Sequence, residues 1–200
     1  MATVGLSKPW CAIYNYDEGT DTVSYSDGFS IGKYTEMSIE LESGDSNDDF
    51  ADDNVDESDK TFAGGKMNTT TNDLLPDKML PLLGLRSEPM EGGPEGAAWL
   101  VFDDEQAIPE IGQGGIIKKK VNGKYKWAAF VLPRIQYANP GISAVTQGKT
   151  IEWQHQSISA DIKRSAGPGH RWFQISTLFD TAAQAEAAVK KFLGITEASA

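Results

Sequence analysis

The sequence predicts a mainly β protein, an antiparallel sandwich or small barrel with one helix flanking it near the C-terminus. Three observations predict it. Period-two alternation of apolar and polar residues recurs in short runs separated by Gly, Asp, Asn and Pro. Asn122-Gly123 stands between two β-rich runs, a strong hairpin signal because both residues accept positive φ. After Asp180 the hydrophobic period changes from two to the spacing of a helix. With 200 residues and 40% of them hydrophobic, the chain suffices for one cored domain spanning 1–200.

In chain order, residues 10–16 alternate as a strand, residues 17–20 (Asp-Glu-Gly-Thr) form a turn, and 22–25 form a short second strand closed by a turn at Ser26-Asp27-Gly28. Over 34–42, Met37, Ile39 and Leu41 point one way, while Tyr34, Glu36, Ser38, Glu40 and Glu42 point the other, so one face is dry and the other wet and anionic. Residues 43–60 are too acidic and too poor in apolar side chains for a strand or a stable helix and read as a long loop, with Phe50 and Val55 as its anchors. A weaker strand follows at 62–71, with Gly64-Gly65 suggesting a bulge. Asp73 is placed to cap a short helix over 74–83 that tolerates Pro76 near its start, is limited by Pro81 and closes at Gly84. Residues 86–96 read as a Pro- and Gly-rich loop and 97–102 as a buried strand.

The hairpin spans 115–137, and its returning strand is apolar on both faces over 128–132, as a central strand would be. Residues 149–164 form a long strand whose apolar parity changes between Trp153 and Ile158, which implies a bulge or a change of sheet. Gly167-Pro168-Gly169 turns the chain into a strand over 171–179. The helix occupies 181–193. Thr181 and Gln184 make a capping box, Ala185, Val189 and Phe192 form the apolar stripe, Lys190 and Lys191 sit in the last turn, and Gly194 ends it.

The net charge of −11 argues against a protein that grips nucleic acid by its phosphates. Charge is also segregated: residues 1–115 hold 24 acids and 6 bases, and residues 116–200 hold 5 acids and 12 bases. Eleven acids lie in 36–60 against Lys60 alone, so the chain can pair with itself through opposite charge, within one molecule or between copies. No apolar run approaches the ~20 residues that cross a bilayer, and residues 1–10 lack a signal-length apolar stretch. Cys11 is the only cysteine, which excludes an internal disulfide and reads as a small core residue.

Sequence patterns for catalysis are weak. His155 and His170 stand apart with no residue to orient them as a base, so the chain reads as no enzyme, and no cofactor is expected. Gly112-x-Gly114-Gly115 lacks the spacing and following helix of a dinucleotide loop. Asp45, Asn47, Asp49, Ala51, Asp53 and Asp56 occupy the ligand spacing of a calcium loop, but Phe50 replaces its turn glycine, Asp56 its bidentate glutamate, and no amphipathic helix flanks it. Asn68-Thr69-Thr70 matches a glycosylation acceptor with no export signal behind it. The five tryptophans offer a second reading, a soluble β-sandwich module binding a glycan or depending on calcium, although most of them lie in alternating runs where core is the default.

A two-residue turn sets Val121 opposite Lys124, Lys120 opposite Tyr125, Lys119 opposite Lys126 and Lys118 opposite Trp127. Lys118 and Lys120 then lie across aromatic rings, whereas Lys119 and Lys126 repel. A solvated tip explains this blandly. An anionic partner explains it more sharply, and the chain supplies one in Asp48, Asp49, Asp52 and Asp53 of another copy, meeting Lys119, Lys124 and Lys126.

An ordered series of segments carries a resemblance: Val4-Gly5-Leu6-Ser7-Lys8-Pro9 with Ala12-Ile13-Tyr14, then Glu36-Met37-Ser38-Ile39-Glu40-Leu41-Glu42, Phe50-Ala51-Asp52-Asp53-Asn54, Glu57-Ser58 and Phe62-Ala63-Gly64-Gly65. Gly115-Ile116-Ile117-Lys118-Lys119, Thr146-Gln147-Gly148-Lys149-Thr150-Ile151-Glu152-Trp153 and Phe179-Asp180 before the helix complete it. From about residue 4 to about residue 195 the chain resembles the major tail proteins, or tail-tube proteins, of long-tailed phages (siphophages) of Gram-positive hosts. The resemblance implies a virion protein made in the host cytoplasm, whose copies form hexameric rings stacked into a tube. The genome passes through that tube without specific binding, and the tape measure, tail terminator and distal tail proteins are its partners. The chain ends directly after the helix, so the immunoglobulin-like domain that some relatives add is expected to be absent. Under that reading Glu36, Glu40 and Glu42 are candidates for the lumen wall.

Overall fold

The structure is a computed structural model; it describes residues 2–44, 47–51, 54–59, 61–72, 74–141 and 155–196, with 47–51 and 54–59 as backbone alone. In order its elements are β1 (Ala2–Asp17), β2 (Thr22–Ser30), β3 (Tyr34–Ser43), β4 (Asn47–Ala51), β5 (Asn54–Asp59), β6 (Phe62–Thr71), α1 (Pro76–Leu83), β7 (Arg86–Pro89), β8 (Ala98–Val101), β9 (Glu110–Val121), β10 (Lys124–Tyr137), β11 (Gln156–Ile162), β12 (Gln174–Ile175) and α2 (Ala182–Phe192). The protein is mainly β and antiparallel, with a C-terminal helix, as its alternation predicts.

One sheet carries the architecture, in the order β2-β1-β9-β10-β11-β6-β3 with β12 beside β10. β10 is its pivot. One edge pairs with β9 from Lys124 to Gln136, while the other meets β12 at Phe130 and Val131 and β11 only at Ile135, Gln136 and Tyr137. The central position expected from its two apolar faces is therefore observed.

Several expectations are corrected. The segment 43–60 is not a loop throughout, because β4 and β5 form an antiparallel ribbon with Phe50 opposite Val55. Low apolar content denies that segment a core, but a backbone ladder satisfies its N–H and C=O groups without one. The turn at Ser26-Asp27-Gly28 is instead a bulge: Asp27 adopts φ 50°, pairing slips between Cys11 and Ile13, and β2 continues to Ser30. β1 starts at Ala2, eight residues early, because β9 supplies a ladder that a non-alternating sequence still joins. For α1, the predicted cap Asp73 lies outside the described residues. The helix begins with Pro76 after an N-cap Leu75 that makes no side-chain bond, and Gly84 ends it at φ 62°. Arg86–Pro89 is a strand rather than loop, and its partner run 97–102 is not buried: Trp99 is 60% and Phe102 47% exposed. Among the described residues only β7 pairs with that run, and every β7 residue is exposed. The strand foreseen over 171–179 shrinks to β12 and a bridge between Trp127 and Phe179. The parity change within 149–164 falls partly on residues outside the description; Ile158, Ala160 and Ile162 are buried as expected.

α2 has both halves of its capping box, Gln184 N donating to Thr181 Oγ1 at 3.2 Å and Thr181 N to Gln184 Oε1 at 3.3 Å. It packs on β1, β9 and β10 through Ala185, Val189 and the following Leu193, all buried against Ala12, Ile116, Ala129 and Val131. Phe192 is only half-buried, its ring 5.7 Å from that of Tyr25. The glycine run of β9 is what lets the helix approach. A Cβ on Gly112 would lie 2.9 Å from Leu193 Cδ2, and one on Gly114 2.7 Å from Val189 Cγ1. On the opposite face of β9 a larger cluster fills the space toward β6 and β11, with Cys11, Met67, Leu132, Ile135 and Ile158 at its centre.

Candidate functional site: an uncovered polar sheet face

The face of β3, β6 and β11 that points away from this cluster is polar and has no helix packed on it among the described residues. Strand register builds it in rows. Glu40, Lys66 and Asp161 lie side by side across the three strands, followed by Ser38, Asn68 and Ser159, then Glu36, Thr70 and Ser157. Eight of these nine residues are exposed and Thr70 is intermediate, while Met67, Thr69, Ile158 and Ala160 between them are buried. Of the predicted wet face, Glu36, Ser38, Glu40 and Glu42 lie together on β3 at the free edge of the sheet, but Tyr34 is buried because the β3–β6 register shifts between Tyr34 and Glu36, and Leu41 of the predicted dry face is exposed. Sequence reading missed Asp161 and Lys66 in the same row, since only the pairing of three strands distant in sequence brings them together.

Under this face lies a polar link between strands of the sheet. Gln113 on β9 is fully buried; its Nε2 donates to Tyr34 Oη at 2.7 Å and its Oε1 accepts from Tyr137 Oη. Burial pushes both phenols well up, so both remain protonated. Gln113 thus ties the strand beneath α2 to the start of β3 and the end of β10.

The hairpin register is as predicted, residue for residue. Lys118 Nζ lies 4.0 Å and Lys120 Nζ 6.0 Å from the centre of the Tyr125 ring. Lys126, opposite Lys119, forms an ion pair with Asp180 of its own chain, whose hydrogen bond and charge hold the Asp180 carboxyl below its usual range. The like-charge clash is thus relieved within the protomer, and no external anion is needed at Lys126. Lys119 and Lys124 have no ion pair among the described residues. Asp48 and Asp49 lie on β4, which among the described residues pairs with β5 alone; Asp52 and Asp53 lie outside the described residues.

Of the calcium-spaced residues, Asn47 and Asp49 lie on β4 and Asp56 on β5, an extended ribbon rather than a backbone coiled around an ion; Asp45 and Asp53 lie outside the described residues. His155 is exposed just before β11, and His170 sits in a turn at φ 43° with Nδ1 3.2 Å from the Ser165 carbonyl. Cys11 is fully buried, and burial pushes its thiol up. The tryptophans do not assemble a platform. Trp10 and Trp127 pack beside α2, Trp172 stacks on Phe62 at 4.6 Å, Trp99 stands alone on β8, and Trp153 lies outside the described residues.

An ionic cluster escaped sequence reading altogether. Arg134 donates to both carboxylate oxygens of Glu110 at 2.6 and 2.8 Å, Lys163 adds a bond at 3.0 Å, and Lys163 also reaches Gln136 Oε1 at 2.8 Å. Its only trace in the sequence is an arginine interrupting an apolar run. Burial alone would raise the Glu110 pKa, but hydrogen bonds and charge from Arg134 and Lys163 outweigh it and leave the carboxyl lowered. A lowered folded-state pKa contributes stability above the unfolded value, about 4.3, and that contribution is lost as pH falls through the folded value. Glu110→Gln is expected to lower Tm at pH 7 by the equivalent of about 1 kcal/mol at most, given solvent screening, and the gap to the parent should close below about pH 4 in a thermal-melt series. A gap that is constant with pH refutes the assignment.

Among known proteins, no family model matches this chain and no curated protein matches it.

Proposed function

We propose that this protein is the structural unit of a phage tail tube, assembling into hexameric rings that stack around a channel for the genome. The observation that carries the reading is the uncovered polar face on β3, β6 and β11, which leads to the free edge of β3 and places Glu36, Glu40 and Glu42 there. Glu36, Glu40 and Asp161 outnumber Lys66 on this face, so its net charge is negative and disfavours phosphate, which lets a genome slide past. The sheet also ends on two different strands, β2 and β3. Unpaired edges invite pairing, and unlike edges joined head to tail close a ring when the rotation permits. The ordered sequence resemblance to tail-tube proteins supports the same reading, as does the segregation of acids and bases along the chain.

In this scheme the rings stack with the acidic β4–β5 ribbon of one copy near Lys119 and Lys124 of another, and the tube is completed by tape measure, terminator and distal tail proteins in the virion. Electron microscopy of the concentrated purified protein tests it. Rings or tubes are expected, weakening at 1 M salt, where the Debye length falls to about 3 Å. Monodisperse monomers at every concentration overturn it.

A further inference from the structure

The β7–β8 hairpin exposes an aromatic side chain that the fold does not use. Trp99 is 60% exposed, whereas its neighbour Leu100 packs against the core. Glu88 lies directly opposite Trp99 in the hairpin register. Arg86 pairs with Asp103 and Glu105, which leaves Glu88, Glu91 and Glu95 exposed and without an ion pair among the described residues. The hairpin thus carries an exposed aromatic side chain with Glu88 opposite it and Glu91 and Glu95 in its connecting segment.

The complementary shape lies elsewhere on the molecule. Lys8 adopts φ 60°, and the β1–β9 register slips between Ser7 and Trp10. Beside this irregularity is a cavity of about 480 Å³ between β1 and the start of β3, walled by Leu6, Trp10 and Tyr34 and rimmed by Lys8 and Lys33. No carboxylate lines it. Lys33 has no ion pair among the described residues, and Lys8 reaches Glu186 at 3.3 Å while remaining half-exposed. The larger cavity, about 590 Å³ beside the end of α2, is a poorer match because Asp21 stands at its rim with Arg171 and Lys191.

We propose that Trp99 of one copy seats in the Leu6–Trp10–Tyr34 cavity of a second copy, with Glu88, Glu91 and Glu95 facing Lys8 and Lys33. The inference rests on the self-assembly reading and names one of its contacts. Tryptophans entering apolar pockets dominate interface energetics, and flanking charges fix register and steer encounter. Donor and receptor are different surfaces, so the contact is head to tail and propagates.

The test places a photo-crosslinking benzoylphenylalanine at position 99, irradiates the assembled protein and maps the products by mass spectrometry. Crosslinks between copies to peptides containing residues 6–10 or 32–34 are expected. Trp99→Ala, with its melting temperature unchanged, should raise the critical concentration for assembly roughly 30-fold. Lys33→Glu should also impair assembly, and adding Glu88→Lys in the same chain should restore it in part. Assembly of Trp99→Ala at the parental concentration, or crosslinks confined to other peptides, overturns this contact while leaving self-assembly intact. A parent protein that never assembles overturns both.

Discussion

Replacing Gln113 by leucine is expected to destabilise the protein by about 3 kcal/mol or more, read as a fall in Tm of roughly 6–12 °C for a chain of this size. Leucine fills most of the space, so the cost does not come from a large cavity. It comes from two phenol groups, Tyr34 and Tyr137, left in the core without the amide they bond. Each stranded polar group costs about 1–3 kcal/mol, whereas apolar groups of similar shape in place of all partners are nearly neutral. The triple variant Gln113→Leu, Tyr34→Phe, Tyr137→Phe should therefore recover most of the loss. That recovery separates a hydrogen-bond effect from a packing effect: costs that simply add across the three sites would refute the network. The network also matters for geometry. β10 and β11 share only three residue pairs, so Gln113 reinforces the junction between the layer under α2 and the strands that present the polar face.

The parts legible in the sequence are those set by local rules. Asn122-Gly123 fixed the hairpin register through its turn alone, and the Thr181–Gln184 box marked the start of α2 because its partners are three residues apart. The alternation over residues 34–42 separated Glu36 and Glu40 from Met37 and Ile39 without knowledge of any neighbouring strand. What remained hidden depends on distant partners. The Glu110–Arg134–Lys163 cluster and the Gln113 link join residues 24 to 79 positions apart. The ion pair that quiets Lys126 comes from Asp180, beyond any hairpin rule. The run 97–102 reads as core because its composition is apolar, yet burial requires a covering layer, and among the described residues its only strand partner is exposed β7. The glycines at 112, 114 and 115 looked like a failed phosphate loop; their role is steric, admitting α2 on one face and Tyr34 with Phe130 on the other.

If the protein forms the proposed tail tube, exchanging Glu36, Glu40 and Glu42 for lysine should leave the fold and tube assembly intact while blocking passage of DNA. All three side chains are exposed on the polar face of β3, so lysine meets no core and forfeits little packing. The change is electrostatic: each protomer gains six charge units on one strand edge, and a ring repeats that gain around its channel. Lysines near phosphate release counterions, and each phosphate neutralised steepens the salt dependence of binding by roughly 0.9 in log–log slope for duplex DNA. In a tube of the proposed kind, a channel lined in this way would hold the genome where the parent channel lets it slide. The expected result is tubes of normal appearance by electron microscopy, phage carrying the variant that adsorb normally, and ejection that is slow at low salt and recovers as salt rises. The salt recovery is diagnostic, because a tail that was merely misassembled would not regain ejection in this way. Parental infectivity at low salt would place these glutamates on the outside of the tube and leave the lumen to another face of the sheet.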